Sequence, residues 1–205
     1  MPTIDYYMTC ISPWTYLGHR PAQQVAARHG ARLVVKPVNL GEMFKVSGQV
    51  ALGERPVVRQ RYRFIELQRF AEMRGRKLNP KPKFFPVNPT LADHTVIAIL
   101  RSRRDPMAYI DSVFSAVWAE EKDISDEPTL ASLLTEAGFD AAAVLTMAKE
   151  PATAEIRARN TQDAVDVDAT GVPSYVLNGE PFWGQDRIDL LDRALSSGRA
   201  PFKAL

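Results

Sequence analysis

The chain has a single cysteine, Cys10, in 205 residues. One thiol cannot close an intrachain disulfide. A cystine-stapled scaffold is therefore excluded, and the scarcity fits a reducing compartment. The three histidines, His19, His29 and His94, show no metal-ligand spacing. They read as structural or surface residues, and no metal site is expected. An excess of one charge is also missing. Twenty-six Lys and Arg against 24 Asp and Glu leave a net charge of +2, so no nucleic-acid partner is implied. No apolar run is long enough to span a bilayer, and no basic-then-apolar leader opens the sequence. The expectation is a soluble, cytoplasmic protein without membrane contact. Repeats and low-complexity stretches are absent, as are a P-loop, a dinucleotide fingerprint and a nucleophile elbow. A Ser–His–Asp arrangement stays open at this level.

What is present is a chain with 45% hydrophobic residues, enough for the core of one domain, or of one domain carrying a large insertion. Its organising stretch is Thr9-Cys10-Ile11-Ser12-Pro13-Trp14-Thr15-Tyr16. The short apolar run before it reads as a strand. A helical pattern follows, with Leu17, Ala22, Val25 and Ala26, and Gly30 closes it. Ser12 is a preferred N-cap, and Pro13 fits the first helical position. A hydroxyl thus stands at a helix N-terminus, where free N–H groups and the dipole favour negative charge. Ser12 reads either as a simple cap or as a catalytic hydroxyl. Pro21 predicts a kink or break in this helix.

A second strand, Arg32 to Val38, completes a strand–helix–strand unit. Leu40 to Gly53 reads as loop. From Pro56 to Arg74 the pattern is helical, with an apolar arc of Val58, Tyr62, Ile65, Leu67, Phe70 and Ala71 opposite a basic face. Helices follow from Asn88-Pro89, Asp105-Pro106, Asp126 or Pro128, Asp140 and Pro151. Strand signals return at Val172 to Leu177. Asn178-Gly179 marks a hairpin, Glu180 to Trp183 forms its second arm, and Asp186 caps a last helix. The plan is an α/β protein of βαβ, a helical block and ββα. Residues 1–39 and 169–205 are expected to share one sheet domain, with 40–168 an all-helical insertion.

Four stretches offer chemistry besides Ser12. Gly171-Val172-Pro173 suits a cis-proline at a strand start, and also an ordinary turn. In Phe182-Trp183-Gly184-Gln185-Asp186-Arg187 a glycine meets a helix start, where N–H groups suit an anion and Asp186 an amine. Arg59 and Arg63, one turn apart, suit a carboxylate, or else a solvated face. Trp14, Tyr16, Phe84, Phe85 and Trp183 suit an aromatic pocket, or the core.

In order, Ser12-Pro13-Trp14-x-Tyr16-Leu17, Pro37-Val38-x-Leu40-Gly41, Phe85-Pro86-x-Asn88, Gly171-Val172-Pro173 and Phe182 to Arg187 resemble the 2-hydroxychromene-2-carboxylate isomerases and their relatives, the kappa-class glutathione transferases. The resemblance runs over nearly the whole chain. It implies a DsbA-like thioredoxin fold with a helical insertion, a homodimer and bound glutathione. In disulfide oxidoreductases of this fold the helix start carries Cys-x-x-Cys. Here Ser12 holds the reactive position, and Cys10 lies two residues too early, so a thiol–disulfide cycle with a resolving cysteine is unavailable.

By resemblance, the thiol is borrowed from glutathione, and Ser12, as the catalytic residue, donates a hydrogen bond to its sulfur. Val172 before cis-Pro173 pairs with the cysteinyl part, Gln185 and Asp186 hold the γ-glutamyl end, and Arg59, or else Arg61, holds the glycyl carboxylate. Trp14 and Gln49 are implied substrate contacts, and Lys45, Asn88 or a basic residue of the Arg55–Arg63 helix is implied for the substrate carboxylate or hydroxyl. The implied reaction interconverts 2-hydroxychromene-2-carboxylate and trans-o-hydroxybenzylidenepyruvate by thiolate addition, ring opening, rotation and elimination, in aromatic-compound degradation. Gly48 to Pro56 departs from the relatives' Gly-Asn-Arg-Pro-Pro, with Gln49 in place of Asn. Two further readings stand beside the isomerase: a kappa-like transferase or peroxidase, and a non-catalytic thioredoxin-fold binding protein.

Overall fold

The computed structural model describes residues 1–204. Its central strand, β1 (Thr3–Met8), pairs in parallel with β2 (Arg32–Pro37) and antiparallel with β3 (Ser174–Leu177). β4 (Glu180–Trp183) closes the far edge, giving the order β2–β1–β3–β4. The parallel pair requires a crossover, which α1 (Pro13–Arg28) supplies. The antiparallel β3–β4 pair needs only Asn178 and Gly179, at φ +53° and +84°, a turn whose twist matches that of the strands. Seven α-helices stand between β2 and β3 among the described residues: α2 (Leu40–Ser47), α3 (Val57–Met73), α4 (Thr90–Arg101), α5 (Met107–Trp118), α6 (Glu127–Glu136), α7 (Ala141–Ala148) and α8 (Pro151–Asp166). α9 (Ile188–Ser197) follows β4. None of these helices is long and apolar enough to cross a membrane.

Side chains alternate across β1, and so the sheet has two cores. Ile4, Tyr6 and Met8 enter the larger one, with residues of α1, α4, α5, α6 and α9. Tyr7 enters the smaller one, with Met43 of α2, Ala164 of α8, Val38, Val172 and Val176. Most of the helical block shares the larger core with the sheet, and α4 and α8 pack directly on β2. Side-chain oxygens of Ser12, Asn39, Asp126 and Asp140 accept backbone N–H bonds at the starts of α1, α2, α6 and α7.

Four local expectations are corrected. Leu40 to Gly53 is largely helical. Asn39 caps α2, Gly48 ends it at φ +69°, and Leu52–Glu54 forms a 3₁₀ turn. α1 runs unbroken through Pro21, because buried Leu17, Gly18, Ala22 and Val25 hold both sides of the proline against the core. Asp186 caps nothing. It lies inside a 3₁₀ turn, Gln185–Arg187, and pairs with Arg187. On α3 the apolar arc is mostly uncovered: Leu67 and Ala71 are buried, while Val58 and Tyr62 are 67% and 51% exposed. The flank of α3 that carries them walls an open cleft instead of the core.

Candidate active site

Strand directions bring distant segments to one end of the sheet. β1 and β2 are parallel, with Met8 opposite Pro37, so the loops to Ser12 and to α2 leave from the same end. β3 runs antiparallel, with Ser174 opposite Tyr7, so its first residue lies at that end too. Ser174 also faces Trp183, which places Gly184 to Arg187 there as well. The N–H of Gly184 donates to the carbonyl of Pro173 at 2.8 Å, tying the two loops together. The Val172–Pro173 bond is cis, as is Phe85–Pro86.

Ser12 is 5% exposed. Its Oγ accepts from the Thr15 N–H at 3.2 Å, and among the described residues no acceptor takes its own proton. No histidine among those residues serves it as a base. The Nδ1 of His19 lies 3.2 Å from the Tyr6 hydroxyl and its Nε2 3.1 Å from the Met107 carbonyl, and burial pushes its pKa down to about 4. His29 meets Asp192, and His94 meets the Ala148 carbonyl. Cys10 is fully buried, and desolvation and the nearby Asp93 push its thiol well up, so it stays protonated.

Asp93 of α4 anchors the loop before Ser12. Its carboxylate accepts from the Cys10 N–H at 2.8 Å, from the Thr9 hydroxyl at 2.9 Å and from Arg157 Nη2 of α8 at 2.8 Å. Burial pushes the Asp93 carboxyl up, while Arg157 and these hydrogen bonds pull it down. The sequence gives no local sign of this cluster.

A cleft of about 610 Å³ opens between α3 and the β3–β4 end of the sheet. Trp14, Gln49, Arg59, Val172, Gln185 and Asp186, all singled out from sequence, line it. Neither the N–H nor the C=O of Val172 has a hydrogen-bond partner among the described residues. Gln185 is 1% exposed and lines the cleft. Arg74 donates to Gln185 Oε1 from Nη2 and Nε, at 3.2 and 3.4 Å, which leaves the amide N–H₂ without an acceptor. This hold by Arg74 is not readable from sequence. Gln49 donates from Nε2 to the Thr170 carbonyl at 3.1 Å, so it braces the loop before cis-Pro173. Trp14 stands edge-on to Phe70 at 6.2 Å.

Ser12 and Pro173, close in the chain to the lining residues Trp14 and Val172, fall outside the cleft lining, as do Arg61, Lys45 and Asn88. Lys45 reaches back to Glu42 on the exposed side of α2. Asn88 accepts from the Thr90 N–H at 3.0 Å and so shapes the entry to α4.

Gly18 of α1 is the contact that lets Gln185 sit so deep. A Cβ there would stand 2.7 Å from the Tyr175 hydroxyl and 2.8 Å from Gln185 Cβ. Gly18→Ala is expected to cost about 1–3 kcal/mol of stability. It also displaces Gln185, which chemical denaturation and the NMR shift of the Gln185 side-chain amide would read together. Unchanged values in both would contradict this close packing.

The model of the DsbA-like thioredoxin domain matches residues 3–196. The chain is 27% identical over 196 residues to 2-hydroxychromene-2-carboxylate isomerase of Pseudomonas putida, covering 94% of this chain and 93% of that one. It is 23% identical over 203 residues to glutathione S-transferase kappa 1 of Caenorhabditis elegans, with 93% and 89% covered. A solved structure of a 2-hydroxychromene-2-carboxylate isomerase superposes with a TM-score of 0.81 at 23% identity over 95% of each chain, a likeness of fold.

Proposed function

The chain belongs to the DsbA-like thioredoxin domain family, and from that premise we propose that it is a glutathione-dependent isomerase of 2-hydroxychromene-2-carboxylate. One observation carries the reading. At the mouth of α1, where a disulfide oxidoreductase needs a reactive thiol, stands a serine with an uncommitted proton, while the single cysteine is sealed in the core. Such a site binds and activates a thiol from elsewhere. The names of the near-full-length relatives support the substrate and the thiol.

The residues present fit glutathione. The unpartnered peptide group of Val172 offers an N–H and a C=O to an extended cysteinyl backbone. The free Gln185 amide and the Asp186 carboxylate suit the γ-glutamyl carboxylate and amine. Arg59 on the cleft wall suits the glycyl carboxylate. When bound, glutathione supplies a nucleophilic thiolate whose reversible addition frees the substrate's double bond to rotate. Ser12 holds the sulfur by donating its hydroxyl proton into a hydrogen bond, and the N-terminus of α1 favours the charged form there. Trp14 and Gln49 border the substrate side, and we place the protein in aromatic-compound degradation as a homodimer.

Titration of the full chain with glutathione and with γ-glutamylcysteine tests the thiol half of this reading. Both are expected to bind. Arg59→Ala should weaken glutathione roughly five- to tenfold, as loss of one charge-assisted contact does, and leave γ-glutamylcysteine unchanged. No binding of either thiol to the wild-type chain would refute it.

A further inference from the structure

Of the arginines on α3, only Arg63 is buried, at 8% exposure, and it still lines the cleft beside Arg55 and Arg59. No carboxylate among the described residues lies within ion-pair distance of any of the three. Arg55 gives its Nε to the Val50 carbonyl, whereas Arg63 has no hydrogen-bond acceptor there at all. Glu66, one turn along, lines the same cleft without pairing. The Arg63 guanidinium rests 5.6 Å from the centre of the Phe85 ring. Burying an unpaired guanidinium is unfavourable, and arginine cannot escape by shedding its proton. A ligand carboxylate entering the cleft restores the missing partner, since the planar fork matches a carboxylate bidentately. The surrounding wall is Trp14, Val58, Tyr62 and Phe70, which suits a flat apolar ring.

We propose that Arg63 is the carboxylate-recognition residue of the cleft, selecting planar aromatic carboxylates over neutral rings of the same shape. This rests on reading the cleft as a joint site for glutathione and an acceptor. The exposed Arg59 serves the glycyl carboxylate, and Arg63, flanked by Arg55, is left for the acceptor. Lys45 and Asn88, turned to Glu42 and to the start of α4, are replaced in this role.

The test is calorimetric titration of the full chain with coumarin-3-carboxylate and with coumarin, for wild type, Arg63→Met and Arg63→Lys. Wild type is expected to prefer the carboxylate by about tenfold or more, as a charge-assisted pair implies. Arg63→Met should bring the two ligands within about twofold, and Arg63→Lys should keep part of the preference. Glutathione affinity should stay within about twofold throughout, which a general loosening of the site would not allow. In turnover, Arg63→Met should raise KM for the acceptor far more than it lowers kcat. A carboxylate preference that survives in Arg63→Met, or a loss of glutathione affinity instead, would overturn the proposal. If the wild-type chain shows the Arg63-dependent preference but does not isomerise the chromene, Arg63 keeps its role and the isomerase reading falls.

Discussion

Ser12→Ala lowers kcat by about 10²–10³-fold, the loss seen when one preorganised donor to a developing or bound anion is removed, and the chain stays folded. The hydroxyl has two uses at this position. As a cap it accepts from Thr15 N–H, a contact whose loss costs about 1 kcal/mol, too little to unfold a core of this size. As a donor it faces a place where negative charge is favoured by the α1 N-terminus. Alanine removes both uses, but only the second bears on the chemistry. The thiol of bound glutathione should therefore titrate at higher pH in the variant, followed by the ultraviolet absorbance of the thiolate. Turnover and thiol pKa that both match wild type would reduce Ser12 to a cap.

The second large effect lies at Asp93 and Arg157. Either Asp93→Ala or Arg157→Met strands a charge that the structure buries, Asp93 being 0% exposed and Arg157 8%. Breaking one side of such a pair costs about 3–5 kcal/mol, roughly 10 °C in thermal midpoint for a chain of this length. The double variant Asp93→Leu/Arg157→Met should lose less than the sum of the two, because no unpaired charge remains. It should still lose activity, since the Cys10 N–H and Thr9 hydroxyl no longer hold the loop that presents Ser12. Thermal denaturation by circular dichroism reads all three chains. Single variants within 1 kcal/mol of wild type would show that the pair does not anchor the loop.

The contrast between these two sites shows what a sequence makes legible. Ser12-Pro13 is readable because a cap and a first-turn proline are local signals that lie side by side. Asn178-Gly179 and the caps at Asp126 and Asp140 are readable for the same reason. Asp93 and Arg157 carry no such sign, because they meet Thr9 and each other only through tertiary packing. α2 escapes pattern reading because Met43 is its only buried residue, which is no period at all. On α3, Val58 and Tyr62 have the spacing of core residues, yet they line a cleft. Arg63 is polar, yet it is buried beside them. Periodicity reports which residues avoid water. It does not separate a core from the wall of a binding site. The order of the motifs, spread from Ser12 to Arg187, is what points to the family, and the strand directions explain why residues so far apart meet.

The most direct test follows 2-hydroxychromene-2-carboxylate spectrally with the full chain, with and without glutathione. The account predicts rapid approach to equilibrium with trans-o-hydroxybenzylidenepyruvate when both protein and glutathione are present, and only the slow background rate when either is omitted. The background rate with both present, or full activity without any thiol, would contradict it.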